Sequence, residues 1–571
     1  MAITKFLQEF PEINAIQFRM HWESGLTREE TPQFWHDMLA IIKKSRPDIQ
    51  LDLRAKGLPD EVIKDAVEQE INFRITTKYW MEQMGLLFHP THINKQNQTD
   101  RRHGYEDLLR YPKLFPFHWR LWNGGTTRLL LWGDPEYVKR FVESARVYEG
   151  NSFEVNEMLA TKMLGADHGS QPFDILNPEY QYYDYEFERY WYFYQVWGRI
   201  GYNPDTPTEV WEQEFCRRFG KTAGQVMMDG LYLASRVLPR IVAVSYPYKH
   251  FPTTRGWAEM QRQYDLPDCA KAEGSDVQQF MNIGDFAEML LSGPVTPQRI
   301  PLHTSNWFRS VSQKILEKAN EAEVEADAIK GNEFVSTITD LKILAYLAEY
   351  HAGRLLAGTQ YNLYLTSGNP VVLDEAIKME KEAREAWSFI VKAAGDVYID
   401  QLIFGVHEVG FPRHWKYQLI ELDRGLQELI EMQKSLGSRT GKEPILPSRN
   451  KGDLLAFFRE GEKDLPEVFP ERINQAIPGK NLTVHARVTD SSGIKWVRLR
   501  YRHLSQFEDF RTIEMLFDPA SGLYTAVIPG DFIIPEWDLM YFIEAVDNSG
   551  NGCMIPDLEV EMPYIIVRTS D

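Results

Sequence analysis

Residues 16–23, IQFRMHWE, decide the fold of the N-terminal part of the chain. Apolar and polar side chains alternate through this stretch, and a period of two predicts a β-strand with one polar face. The apolar face carries Ile16, Phe18, Met20 and Trp22, and the polar face carries Gln17, Arg19, His21 and Glu23. An open, doubly wound sheet has strands that are apolar on both faces. A strand with a charged face near its C-terminal end instead favours a (β/α) barrel of the TIM type, whose polar residues gather at the mouth.

Similar strand patterns recur up to about residue 200, and helical patterns separate them. Strand-like segments cover 14–22, 48–57, 71–80, 116–122, 126–134 and 151–159, and helix-like segments cover 31–45, 58–70 and 135–145. This alternation predicts βαβ units and a parallel sheet. A complete barrel of this type has eight strands, whereas six at most can be counted here. Because a βα unit starts almost at the first residue, we expect residues 1–200 to form an incomplete barrel whose early strands are absent.

The pattern changes twice after residue 200. Apolar residues then recur every three or four positions, as in residues 334–365, and predict a helical domain over residues 201–440. A stretch rich in proline, glycine and lysine follows and predicts a linker over residues 441–472. Short alternating strands with turn signals come last, and they predict an immunoglobulin-like β-sandwich over residues 473–571.

Composition excludes several classes of protein. The 571 residues carry a formal net charge of −19, which argues against a nucleic-acid partner because such a partner requires a basic surface. No apolar run is long enough to span a membrane. The three cysteines lie far apart and form no disulfide framework or metal-binding pair. We therefore expect no cofactor, no metal, no nucleic acid and no membrane span, and the sequence is compatible with a homo-oligomer.

The cellular location follows from two opposing features. A terminal sandwich favours an extracellular or periplasmic enzyme, but the N-terminal sequence MAITKFLQEF has no signal-peptide pattern. A truncated chain would reconcile the two.

The strongest local signal for chemistry is NSFEVNEML, residues 151–159. Alternation along this strand predicts that Glu154 and Asn156 point into the barrel, with Glu157 at the end of the strand. Glycoside hydrolysis uses two carboxyl groups, one protonated and one ionised. We expect Glu157 or Glu154 to be one catalytic member. The second catalytic carboxylate is expected to be Glu23, because a helix cap does not explain an acidic residue there; Asp52 and Glu82 are alternatives. Asp134 precedes Pro135 and a helix, so we assign it to capping.

Basic and aromatic residues are concentrated near the C-terminal ends of the predicted strands, and the basic residues include Lys56 and Arg74. A cleft lined by arginine and lysine favours an anionic ligand, and aromatic rings stack on the apolar faces of sugars. The expected substrate-binding residues are Arg19, His21, Arg54, Lys78, Trp80, His118, Trp119, Arg120, Trp122 and Asn156. Two plainer interpretations stay open: the tryptophans pack in the core, and the cations pair with Asp52, Glu23 and Glu154.

Several segments resemble bacterial polysaccharide-degrading glycoside hydrolases, among them the α-glucuronidases, in which a helical domain directly follows the barrel. The resemblance rests on MHWESG, HWRLW, TRLLLWGDPEYVKRF, FEVNE and QVWGRIGYNPDTPTEVWEQEFCRRFG, and it covers residues 10–220 in the order of elements. It implies a glycoside hydrolase acting on a plant or algal polysaccharide or oligosaccharide, with a uronate as the anionic group. The Asn156–Glu157 pair is similar to the strand end that carries the acid/base residue in many barrel glycosidases.

Two other functions remain as alternatives. An incomplete barrel that keeps its aromatic rings could serve as a non-catalytic carbohydrate-binding protein. A polysaccharide lyase would need a base such as Tyr79 or His118 beside an arginine. A metal site at His89, His92 and His103 has no further ligand spacing to support it.

Overall fold

The computed structural model describes residues 2–21, 25–78, 101, 104–121, 129–159, 162–163, 166–245, 265–274, 276–292, 296–326, 330–404, 413–436 and 465–569. A parallel sheet with helices forms the N-terminal part, helices follow, and antiparallel sheets form the C-terminal part.

The parallel sheet comprises β1 Ala15–Phe18, β2 Gln50–Arg54, β3 Phe73–Lys78, β4 Phe117–Leu121 and β5 Gly150–Val155. The described strands pair in sequence order, and each neighbouring pair is parallel. This confirms the predicted parallel sheet. A closed barrel is not confirmed, because among these strands β1 and β5 lie at the two edges. In the described part of the chain, a helix follows each of β1, β2 and β4 before the next strand begins.

Helices α1 Ala2–Glu9, α2 Thr31–Ser45, α3 Asp60–Glu68 and α4 Pro135–Val147 accompany the sheet. The longer ones bury a stripe of apolar residues at helical spacing; in α2 the stripe is Trp35, Leu39 and Ile42. Asp134 begins α4, and its Oδ1 accepts a hydrogen bond from the Tyr137 N–H at 3.0 Å. Asp134 therefore caps this helix, as its position before Pro135 predicted.

The strand predicted over residues 126–134 is wrong for its described part, because residues 129–134 form no strand. Their backbone instead bonds to helices that follow later in the chain. The Leu131 N–H donates to Asp340 at 2.9 Å, and the Gly133 N–H donates to the Ser235 hydroxyl at 2.8 Å. A short apolar run is buried whether it forms a strand or an irregular connection. Its sequence alone therefore does not distinguish the two structures.

The helical part comprises α5 Glu186–Arg189, α6 Trp191–Tyr202, α7 Glu209–Phe219, α8 Lys221–Ala234, α9 Val237–Ser245, α10 Leu266–Cys269, α11 Ile283–Ser292, α12 Pro301–Glu325, α13 Asn332–Ser367, α14 Pro370–Ala394 and α15 Trp415–Leu436. The long helix α13 is buried along most of its length. A fully buried ion pair, Arg189 to Asp340 at 2.7 Å, joins α5 to α13. In the described ranges, no helix has the length and apolar character needed to cross a bilayer.

The C-terminal part contains two antiparallel sheets that share one core. The strands are β6 Glu467–Pro470, β7 Leu482–Thr489, β8 Ile494–His503, β9 Arg511–Glu514, β10 Leu516–Asp518, β11 Leu523–Ile528, β12 Leu539–Asp547, β13 Gly552–Ile555 and β14 Ile565–Val567. One sheet has the order β10-β11-β7-β6, and the other has the order β13-β12-β8-β9 with β14 beside β12. Strand β6 lies before residue 473, where the sandwich was expected to begin.

The C-terminal sheets bond directly to the N-terminal part. The Gln506 side-chain oxygen accepts the backbone N–H groups of Tyr105 and Glu106, both at 2.9 Å. Lys113 pairs with the buried Asp538 at 3.3 Å. These contacts hold the antiparallel sheets beside the loop that precedes β4.

Candidate functional site

The candidate site is the polar face of the parallel sheet. Alternation along β2 to β5 directs Asp52, Arg74, His118, Ser152 and Glu154 to one side. Strand pairing places Asp52 beside Arg74, and it places His118 beside Ser152. The same register brings Arg120 beside Glu154. The predicted polar face therefore exists, and its central residues Asp52, His118 and Arg120 are buried.

Hydrogen bonds link these side chains into one network across four strands. Arg74 binds both carboxylate oxygens of Asp52, with Nη2 to Oδ2 at 2.9 Å, and also bonds to the Ser152 hydroxyl. The Ser152 hydroxyl in turn lies 2.9 Å from Nδ1 of His118. Nε2 of His118 lies 3.3 Å from Glu154, so the network runs from Asp52 to Glu154. Buried charges require such partners, and the expected internal pairing of cations with Asp52 and Glu154 is confirmed.

Glu154 is the carboxylate of this network with the most access to solvent; its side chain is 35% exposed, against 8% for Asp52. It pairs with the Arg120 guanidinium as well as with His118. Burial acts to raise the pKa of Glu154, but the hydrogen bonds and charges of His118 and Arg120 outweigh it and lower this pKa to about 2. Glu154 is therefore ionised at neutral pH, a state that suits a base or nucleophile and not a proton donor.

Glu157 occupies a different position from Glu154. Strand β5 ends at Val155, and Glu157 is exposed just beyond it. Partial burial, together with the negative charges of Glu157 and Glu186, raises the pKa of Tyr194 on α6. Glu157 thus lies at the rim of the sheet near α6, outside the network of Glu154. Asn156, between the two glutamates, is half-buried, and its N–H donates to the Leu121 carbonyl at 3.4 Å.

Three basic residues, two after β1 and one at the end of β2, share the strand parity of the polar face. Arg19 is exposed, Arg54 is half-buried and His21 is buried. Gly57 has φ +68°, and a Cβ there would lie 2.5 Å from the Cβ of His21. A glycine is therefore needed where the loop after β2 passes His21. Lys78 is the last residue of β3, in register with Arg120 of β4.

Trp119 lies on the opposite side of the sheet from the polar network. Its ring is fully buried and stacks on Phe117, with centroids 5.1 Å apart, and it contacts Tyr148 edge-on. It belongs to the core, which was the plainer interpretation of the tryptophans. The predicted residues Glu23, Trp80 and Trp122 lie outside the described residues, and so do the alternatives Tyr79, Glu82, His89, His92 and His103.

Ser152 was not predicted from the sequence, although it connects Arg74 to His118. The sequence did indicate its position, because Ser152 and Glu154 are two residues apart in β5 and residues two apart share a face of a strand. Across the residues described here, no group of three or more His, Cys, Asp or Glu is arranged to hold a metal ion.

Comparison with known proteins supplies a structural neighbour. The chain is similar to the solved structure of a GH138 enzyme targeting pectin rhamnogalacturonan II, with a TM-score of 0.55 and 12% sequence identity. The match covers 76% of this chain and 72% of that chain. No protein-family model and no curated protein sequence matches this chain. At 12% identity the likeness establishes a shared fold; the neighbour is a glycoside hydrolase, and a likeness to α-glucuronidases is not part of this match.

Proposed function

We propose that this protein is a glycoside hydrolase acting on a uronate-containing plant or algal polysaccharide or oligosaccharide. One observation carries the proposal: Glu154 is held ionised, yet partly open to solvent, on the polar face of the sheet. The fold shared with a GH138 enzyme adds support, because that protein acts on pectin. Fold alone does not determine activity, so the chemistry of this face is the main argument.

The proposed reaction divides two roles between carboxyl groups. One group is protonated and gives its proton to the glycosidic oxygen as the bond to the anomeric carbon breaks. The other is ionised and either attacks that carbon or takes a proton from the attacking water. The low pKa of Glu154 suits the ionised role. We assign the protonated role to Glu157, at the solvent-exposed end of β5, or to Glu23.

Recognition of an anionic sugar is assigned to the cations on the other strands of this sheet. Arg19 follows β1, Arg54 ends β2 and Lys78 ends β3. A guanidinium binds a carboxylate through two parallel hydrogen bonds. We propose that these residues, with Asn156, bind the uronate, giving a specificity like that of the α-glucuronidases. His21 was also expected to bind it, but this side chain is buried against Gly57 and would support the loop after β2 instead. Trp119 supports β4 from the core side of the sheet.

A product assay on uronate-containing and neutral polysaccharides tests this function. A hydrolase releases new reducing ends and no ultraviolet absorbance, whereas a lyase produces an unsaturated, absorbing sugar. We expect reducing ends from a uronate-containing substrate, without absorbance. Absorbing products would favour the lyase, and binding without any product would favour a non-catalytic carbohydrate-binding protein; either result contradicts the proposal.

A further inference from the structure

A cavity of about 560 Å³ lies between the helical part and the C-terminal sheets. Its wall comes from α9, from the segment before α12, from α12 itself and from β13 with the residues after it. None of the described lining residues belongs to the five-stranded parallel sheet. Cavities of roughly 300–1,000 Å³ are the size that small-molecule ligands occupy.

One wall of the cavity presents an aromatic ring on a fixed support. Trp307 of α12 is half-buried, and the Arg240 guanidinium lies 4.2 Å from the centroid of its ring. Arg240 is itself buried and lies 5.0 Å from the ring of Phe280. The Arg240 guanidinium thus contacts both rings and supports the Trp307 indole through a cation–π contact. An indole supported in this way is suited to stack against a flat, apolar molecular face.

The charged groups of the wall compensate one another. Arg240 pairs with Glu559, and Arg299 pairs with Asp557. Arg299 also lies 4.0 Å from Glu559. The lining therefore contributes two arginines and two carboxylates, and Arg236, which does not line the cavity, also lies 3.7 Å from Glu559. Each carboxylate still has free lone-pair capacity and each guanidinium has further N–H groups, and the wall therefore offers fixed acceptors and donors.

We propose that this cavity is a second carbohydrate site, which binds one or two neutral sugar rings. A sugar ring presents a C–H face that stacks on Trp307 and hydroxyl groups that pair with Arg299, Asp557 and Glu559. Asn306 and Gln298 supply further amide donors and acceptors at the same wall. Both lining arginines are already paired, so a uronate or phosphate would have to compete with Asp557 and Glu559 for them. The ligand class therefore differs from the anionic sugar proposed for the parallel sheet.

Titration calorimetry on the full chain tests this site with methyl glycosides of galactose, glucose, xylose and rhamnose, and with galacturonate. We expect at least one neutral glycoside to bind, and Trp307→Ala to weaken that binding about tenfold through loss of the stacking surface. The matched control is Trp496→Ala. Trp496 is also half-buried and carries an arginine, Arg498, 4.1 Å from its ring, but it lies on β8 away from the cavity. This control should bind like the wild type.

A second variant keeps the test decisive if Trp307→Ala does not fold. Ser310 lines the cavity and is exposed, so Ser310→Trp fills the opening without disturbing the core. Binding should be lost in Ser310→Trp and kept in Glu154→Gln, which separates this site from the proposed catalytic one. The inference is overturned if no neutral glycoside binds or if both cavity variants bind it normally. It is also overturned if the two variants weaken the binding of galacturonate as much as that of the neutral sugars.

Discussion

At the scale of single residues, the pKa of Glu154 depends on two neighbours. Arg120 and His118 stabilise the ionised carboxylate against a burial that opposes it. The same neighbours orient the carboxylate, because a guanidinium on β4 and an imidazole two residues earlier approach it from one side. The same two residues, Arg120 and His118, therefore keep Glu154 ionised and orient its carboxylate.

Arg120→Met is expected to move the acid limb of the pH–rate profile to higher pH. Glu154 is ionised above a pKa of about 2 in the wild-type protein, so its protonation does not limit activity at ordinary pH. Without the Arg120 cation, the effect of burial is less strongly opposed, and the pKa of Glu154 rises. Turnover should then fall at a higher pH than in the wild type as the solution is acidified. An acid limb at an unchanged pH would show that Glu154 is not the ionised catalytic group.

Glu157→Gln separates a catalytic role from a structural one. If Glu157 donates the proton, turnover falls by about 10²–10⁴, the usual contribution of a positioned acid or base. The melting temperature should change little, because Glu157 is exposed at the end of β5. Both quantities can be measured on the same variant. A lower melting temperature with normal turnover would assign Glu157 to stability and leave the proton to Glu23.

The sequence predicted the polar face of β5, for a definable reason. Alternation in NSFEVNEML identified the face that carries Glu154, because the strand period is a local property. It could not show that His118 and Arg120 both reach Glu154, since that depends on the register between β4 and β5. Trp119 was expected at the substrate, although its parity with Phe117 and Leu121, itself a local property, places it in the core.

At the scale of elements, β4 and β5 meet at a close approach that sets the position of the network. Gly150 begins β5, and a Cβ there would lie 2.4 Å from Cδ1 of Trp119 and 2.6 Å from the Ala145 carbonyl oxygen. The indole therefore occupies the space that a side chain at residue 150 would need. This contact fixes the two strands that carry His118 and Glu154.

Gly150→Ala should destabilise the protein by about 1–3 kcal/mol, the typical cost of overfilling a packed core. Chemical denaturation measures this loss. Gly169→Ala is the matched control, because Gly169 is exposed and a Cβ there meets no atom within 4 Å. A stability of Gly150→Ala equal to that of the control would contradict the packing described for Trp119.

The elements themselves were predicted where local patterns were sufficient. Helices α2, α3 and α4 have amphipathic periodicity, and α4 has Asp134 and Pro135 at its start. The strand prediction failed for residues 129–134 because their hydrogen-bond partners, Asp340 and Ser235, are distant in sequence. Long-range partners of this kind leave no trace in local periodicity.

At the scale of the whole molecule, the C-terminal sheets have their own core and are also attached to the rest. Val484, Leu499 and Ile543 belong to the sandwich core, whereas Met540 and Tyr564 pack into the main core. The hydroxyl groups of Tyr148 and Tyr564 hydrogen-bond across this boundary. Independent folding therefore depends on whether the sandwich core is sufficient by itself.

A fragment of residues 465–571 is expected to fold alone and to unfold cooperatively on heating, followed by circular dichroism. The matched fragment, residues 473–571, lacks β6, which pairs with β7 and buries Val468. Its melting temperature should be lower, because one edge of the sheet and part of the core are missing. Two unfolded fragments would show that the sandwich requires the rest of the chain.

Turnover of Glu154→Gln against that of Glu149→Gln tests the central claim most directly. The two glutamates are matched: Glu149 is 34% exposed and lies 2.8 Å from Lys113 and 3.3 Å from Arg568, but outside the polar face. On a uronate-containing substrate, Glu154→Gln should lose about 10²–10⁴ in turnover, whereas Glu149→Gln should keep wild-type turnover. Equal turnover in the two variants would contradict the account and make Glu154 a structural ion-pair partner.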